Sequence, residues 1–122
     1  MNYANGELVI VVDVADLDRA ATFWTAVLGY VRQGEPDVYL SLVPRDGAGV
    51  EVLLQQVSDA KRGKNRVHLD LRTADLDAEV ARVCALGARR LTDVPVAEAG
   101  WLWHVLADPD GNEFCVLQPP PG

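Results

Sequence analysis

The chain has 122 residues, 49% of them apolar, and 11 basic against 18 acidic side chains give it a net charge of −7. That length supports one domain, residues 1–122, with its own core, and the composition excludes a disordered chain. The acidic balance argues against nucleic acid and anionic membrane surfaces as partners, since both select a basic face.

Residues 7–14 (ELVIVVDV) are nearly continuously apolar and β-branched, as in a strand covered on both faces. The apolar run stops at Asp13, too short to span a bilayer, and no basic leader with a cleavage site is seen, so a cytoplasmic protein is expected. Asp16 is an N-cap candidate, and Asp18 adds negative charge where the helix dipole favours it. Leu17, Ala20 or Ala21, Trp24, and Val27 or Leu28 then recur at helical spacing, and Gly29 is a stop. Residues 30–33, 38–43 and 50–57 read as strands separated by Gly-, Pro- and Asp-containing turns.

Residues 58–66 (SDAKRGKNR) are polar and form a linker. The order then repeats. Residues 67–72 read as a strand, Asp75 as a cap, and Leu76, Val80, Val83 and Gly87 as one helical face. Residues 89–93, 101–107 and 113–118 are the following strands, with a loop at 94–100. Both copies carry Ala-Asp-Leu-Asp after an aliphatic run and end in Leu-Gly. Two copies indicate a duplicated supersecondary module rather than a solenoid. The expected class is α+β: two βαβββ modules, residues 7–57 and 66–118, paired around a concave cleft that would be the default ligand site. Cys84 and Cys115 are expected as buried free thiols.

The paired modules, the Ala-Asp-Leu-Asp and Leu-Gly helix ends, the stretch Gly63 to Leu71 (GKNRVHLDL) and the turn Asp108-Pro109-Asp110-Gly111-Asn112-Glu113-Phe114 together resemble the vicinal oxygen chelate superfamily. This is the glyoxalase/bleomycin-resistance/dioxygenase superfamily, and the resemblance is to its small glyoxalase-like domains. It implies either one divalent metal held by His, Gln or Glu side chains from the first and last strands of each module, or a metal-free pocket that sequesters aromatic drugs.

Strand alternation selects which side chains would face the cleft. In residues 67–72, Val67, Leu69 and Leu71 are expected against the helix, leaving His68, Asp70 and Arg72 toward the cleft. His68 lies seven residues before Asp75, where the resemblance places a histidine ligand; the same position before Asp16 is Val9, which has no donor. In the last strand Phe114 and Val116 are expected against the helix, and Glu113, Cys115 and Leu117 toward the cleft. Cys115 stands where the resemblance places a carboxylate, and Glu113 precedes it by two residues. Glu51, Leu53 and Gln55 share a face, and Glu51 matches the superfamily carboxylate of that strand.

His68 and Glu51 are therefore the candidate metal ligands, and the cofactor expectation is none or one divalent ion, because a catalytic site needs about three protein ligands. Glu51 and Glu113 are the candidate acid–base groups. His68, Asp70, Trp101, Trp103, Gln55, Cys115 and Tyr39 are the candidate ligand-binding residues. Structural readings stand beside these. His68 and Asp70 could be a hydrogen-bonded pair, Glu113 could bond its own turn, and Trp101 and Trp103 are either core or stacking plates. Lys61, Arg62, Lys64 and Arg66 are either solvated or an anion clamp.

Two functional readings compete. One is binding or sequestration of a small, partly apolar or aromatic molecule without a complete metal site. The other is a metal-dependent lyase, isomerase or dioxygenase-like enzyme using His68 and Glu51. An accessory domain without catalysis is the third class, and unpaired sheet edges suggest a homodimer.

Overall fold

The computed structural model describes residues 2–122. Two compact units make up the chain, one ending at Ala60 and the other beginning at Lys61. Each unit carries one helix on a mixed sheet, so the architecture is α+β, built from two βαβββ modules.

The first unit begins with a hairpin of β1 (Asn2–Tyr3) and β2 (Gly6–Glu7). It continues with β3 (Val9–Val14), α1 (Leu17–Leu28), β4 (Tyr30–Gln33), β5 (Tyr39–Pro44) and β6 (Glu51–Gln56). The sheet order is β3-β6-β5-β4, with β3 and β6 parallel and the other pairs antiparallel. Helix α1 forms because its termini are satisfied locally. The Asp16 carboxylate accepts the Arg19 N–H at 3.0 Å, and Gly29 closes the helix at φ 72°, a left-handed position that costs a residue with a Cβ. Its apolar stripe, Leu17, Ala20, Ala21, Phe23, Trp24 and Val27, is buried against Leu40, Leu42, Val52 and Leu54 of the sheet. Phe23 and Trp24 meet edge to face at 5.0 Å.

The second unit contains β7 (Asp70–Arg72), α2 (Leu76–Ala85), β8 (Arg89–Arg90), β9 (Val96–Glu98), β10 (Trp101–Ala107) and β11 (Glu113–Gln118). The order is β7-β11-β10-β8, with β9 also paired to β10. β7 and β11 are parallel, so the first and last strands of the module are neighbours, as β3 and β6 are in the other. Asp75 caps α2 through the Ala78 N–H at 3.1 Å, and the Gln118 side chain accepts the Leu76 N–H at 2.8 Å. Leu76, Val80 and Val83 pack with Leu106, Phe114 and Val116. Each such buried aliphatic side chain contributes about 1.5–3 kcal/mol. Among the described residues, no helix is long and apolar enough to cross a membrane.

Four local expectations are corrected. The first strand starts at Val9, because Gly6 and Glu7 pair with Asn2 and Tyr3 instead. In residues 67–72 only Asp70–Arg72 join the sheet, and Val67 is 83% exposed rather than packed on the helix; the segment before β7 is held to β11 by the bonds of Asn65 to Glu113 instead of a ladder. The strand at 89–93 is reduced to Arg89–Arg90, while the 94–100 loop contains β9, paired to Trp101–Trp103. Cys115 is buried, but Cys84 is only partly so.

Removing either cap tests this account of the helices. Asp16→Ala and Asp75→Ala are each expected to lower stability by about 1 kcal/mol in urea denaturation. Asp77→Ala, in the first turn of α2 but outside the cap, should cost less. Equal losses at Asp75 and Asp77 would refute the capping role.

Candidate functional site

β11 lies between β7 and β10, and its alternation divides the second unit into two faces. Phe114 and Val116 point toward α2, with His104 and Leu106 of β10 buried on the same side. The opposite face is a grid of Cα partners. One row runs Asp70, Cys115, Val105 and the next runs Arg72, Leu117, Trp103. All of these side chains except Arg72, which stands on the same face beside Leu117, line a cavity of about 340 Å³, within the range of small-molecule sites. Trp103, Val105, Cys115 and Leu117 supply its apolar wall, and Lys64, His68, Asp70 and Glu113 its polar groups. Phe114 borders the cavity between Glu113 and Cys115, while its side chain is buried against the helix as expected.

His68 and Lys64 come from the segment preceding β7. That segment is pinned along β11. The Asn65 N–H donates to Glu113 Oε1 at 3.0 Å, and Asn65 Nδ2 donates to the Glu113 carbonyl at 2.9 Å. Lys61 Nζ lies 3.8 Å from Glu113 Oε1, and the Cys115 N–H donates to the Leu69 carbonyl at 2.9 Å. Glu113 is therefore engaged as an anchor for the segment that carries His68. It does not bond its own turn; there the Asp108 carboxylate accepts the Asp110 and Asn112 N–H groups at 2.9 and 2.8 Å.

Burial pushes the Cys115 thiol pKa up, and the adjacent Asp70 carboxylate raises it further by its charge and its hydrogen bond with the thiol. The Glu113 charge acts in the same direction, and Lys64 opposes it. The thiol is thus held protonated, which disfavours nucleophilic attack. Trp103 lines the cavity, and Trp101, two residues before it on the same face, carries the Arg72 guanidinium 4.9 Å from its ring centre.

The other candidates belong to the first unit. On the sheet face opposite α1, Glu51 accepts the Ser41 hydroxyl at 2.7 Å and is the Cα partner of Val9. Gln55 Nε2 donates to the Tyr39 hydroxyl at 3.2 Å. The two residues named as metal ligands, His68 and Glu51, come one from each unit.

A sequence model of the glyoxalase-like domain family matches residues 9–117, nearly the whole chain. The chain belongs to this family. It is accordingly a member of the vicinal oxygen chelate superfamily. Among solved structures, this glyoxalase-like domain is similar to TnmS3, an antibiotic-binding protein from Streptomyces sp. CB03234, at 26% identity and a TM-score of 0.64, covering 96% of this chain and 99% of that one. It is similar in fold to the genomically encoded fosfomycin resistance protein FosX from Listeria monocytogenes, at 15% identity and a TM-score of 0.75, covering 95% and 94%. The hypothetical protein SA1046 from S. aureus is similar at 20% identity and a TM-score of 0.71, covering 95% and 99%. No curated protein matches significantly.

The superfamily implies a divalent metal, and the donors of this glyoxalase-like domain fit one poorly. Val9 offers no ligand atom beside Glu51, and Glu51 is bonded to Ser41. Among the described residues no three His, Cys, Asp or Glu side chains form a group able to hold a metal ion. Sequence reasoning missed Asn65 as an anchor and left Lys64 between solvent and ligand. No local pattern marks either, because Asn65 bonds Glu113 of β11 and Lys64 is brought to the cavity by that same anchor.

Two outcomes check this geometry. Glu113→Ala should accelerate trypsin cleavage at Lys61, Arg62, Lys64 or Arg66 with little change in the urea midpoint, since it frees a segment rather than the core. Unchanged cleavage would refute the anchor. Native Cys115 should be alkylated slowly at neutral pH, the rate climbing only above the ordinary thiol range near 8.5, and Asp70→Asn should accelerate it. Fast, Asp70-independent alkylation would contradict the assignment.

Proposed function

We propose that this glyoxalase-like domain binds a small, partly apolar or aromatic molecule in the cavity of its second unit and holds it without converting it. The observation that carries this reading is the lining itself. Trp103, Val105 and Leu117 form an apolar wall large enough for a flat ligand, and two groups with chemical potential beside it, Glu113 and Cys115, are otherwise engaged. Glu113 anchors Asn65 and Lys61, and Cys115 is a protonated donor toward Asp70. A general base must be free to reach a substrate proton, and a nucleophile must be deprotonated. The likeness to an antibiotic-binding protein at 26% identity supports the same reading.

An indole presented to a cavity stacks on flat ligands, and the pair gains about 0.5–1.5 kcal/mol beyond the area buried. A panel of flat aromatic compounds should therefore include some that quench tryptophan fluorescence and raise the melting temperature with concentration. Trp103→Ala should weaken binding on the order of tenfold while changing the urea midpoint little, because Trp103 is half-buried and outside the helix-facing core. Metal content by elemental analysis should be sub-stoichiometric, and chelator should leave binding unchanged. Binding that needs added divalent metal, or a ligand consumed on incubation, would overturn this reading in favour of an enzyme using His68 and Glu51.

A further inference from the structure

The charged groups around the cavity are not equivalent. Its two carboxylates are both engaged within the protein: Asp70 by the Cys115 thiol, and Glu113 by Asn65 and Lys61. The neighbouring cations Lys64 and Arg72 are not. Among the described residues neither makes a hydrogen bond or ion pair, although the chain has more acidic than basic side chains.

Arg72 is also held in place. It belongs to the row Arg72, Leu117, Trp103 on the cavity face, and its guanidinium carbon lies 4.9 Å from the centre of the Trp101 ring. β7 and β10 are separated by β11, so the two side chains meet above the middle strand, beside Leu117 and Trp103 of the lining. A guanidinium stacked by its face on an indole keeps its in-plane N–H donors free, and that fork matches a carboxylate in bidentate fashion. Stacking restricts the side chain before binding, so less freedom is lost when an anion arrives.

We infer that the molecule held in this cavity is a flat or apolar acid, and that Arg72, braced on Trp101, binds its carboxylate while Trp103 and Leu117 take the apolar body. This rests on the cavity being a small-molecule pocket, as proposed above, and adds the class of ligand. The arrangement has a polar anchor at one end and an apolar wall beside it, which fixes orientation as well as affinity.

The test compares 2-naphthoate with its neutral isostere 2-naphthamide at neutral pH. Binding is followed by calorimetry and by the indole N–H signals of Trp101 and Trp103. A charge-assisted bidentate pair should make the acid bind on the order of tenfold tighter than the amide in the native protein. Arg72→Gln should erase that difference while leaving amide binding unchanged. Arg72→Lys should retain only part of it, because an ammonium lacks the fork and stacks poorly. Trp101→Ala should weaken the acid and not the amide, which a merely structural loss would not do. Lys64→Gln should keep most of the preference.

Equal binding of acid and amide by the native protein would overturn the acid assignment and leave the pocket standing. A preference that survives Arg72→Gln, or disappears with Lys64→Gln instead, would overturn the role of Arg72. If neither probe shifts the Trp103 signal at millimolar concentration, the pocket reading fails and this inference with it.

Discussion

β11 is hydrogen-bonded on both edges, in parallel to β7 and antiparallel to β10. A strand paired on both sides cannot rotate, so its side-chain alternation is locked. Phe114 and Val116 are committed to the core under α2, and Cys115 and Leu117 to the other face. A register slip of one residue would exchange the two sets and place the buried thiol in the core and Phe114 in the open. The cavity exists because that alternation is fixed, and because β10 supplies Trp103 and Val105 in matching register.

Glu113, a candidate acid–base group from the sequence, makes bonds that hold a distant segment in place. Its side chain accepts from one backbone amide and pairs with Lys61, while its own carbonyl accepts from the Asn65 side chain. The effect on function is indirect but definite. Residues 61–69 have no strand ladder of their own, and this anchor determines where Lys64 and His68 stand. Asp70 is used similarly, as the acceptor that keeps Cys115 protonated. The face left around the cavity is an apolar surface with Lys64 and Arg72 near its border.

The duplicated modules have diverged on their open faces while keeping their helix faces. The first sheet carries the Glu51–Ser41 and Gln55–Tyr39 pairs, and its Val9 stands beside Glu51. The second carries an exposed histidine, an aspartate, a buried thiol and two tryptophans. The helix faces differ little in kind: both are capped by aspartate and filled with aliphatic side chains, because packing under a helix tolerates few alternatives. The open faces are freer, and that is where the two copies have taken on separate character.

The caps at Asp16 and Asp75, the stop at Gly29 and the buried stripes of both helices were legible in the residues alone, because helix period and end satisfaction depend on neighbours three or four positions away. The spans of β10 and β11 and the inward set of Glu113, Cys115 and Leu117 were legible for the same reason, from a period of two. The second module could be divided into faces without knowing what covered them. Where a strand ended was less legible: β7 begins only at Asp70, short of Val67, and β9 appears at Val96–Glu98, because pairing depends on distant partners. The partners themselves were not legible. Glu113 meets Asn65 across 48 residues, and Arg72 meets Trp101 over an intervening strand. Whether the two tryptophans faced the core or the open side was undecided by their spacing. The register of β10 against β11 decided it, placing Trp103 with Leu117 and Arg72, because contacts between distant segments follow from sheet order and register, which no local pattern contains.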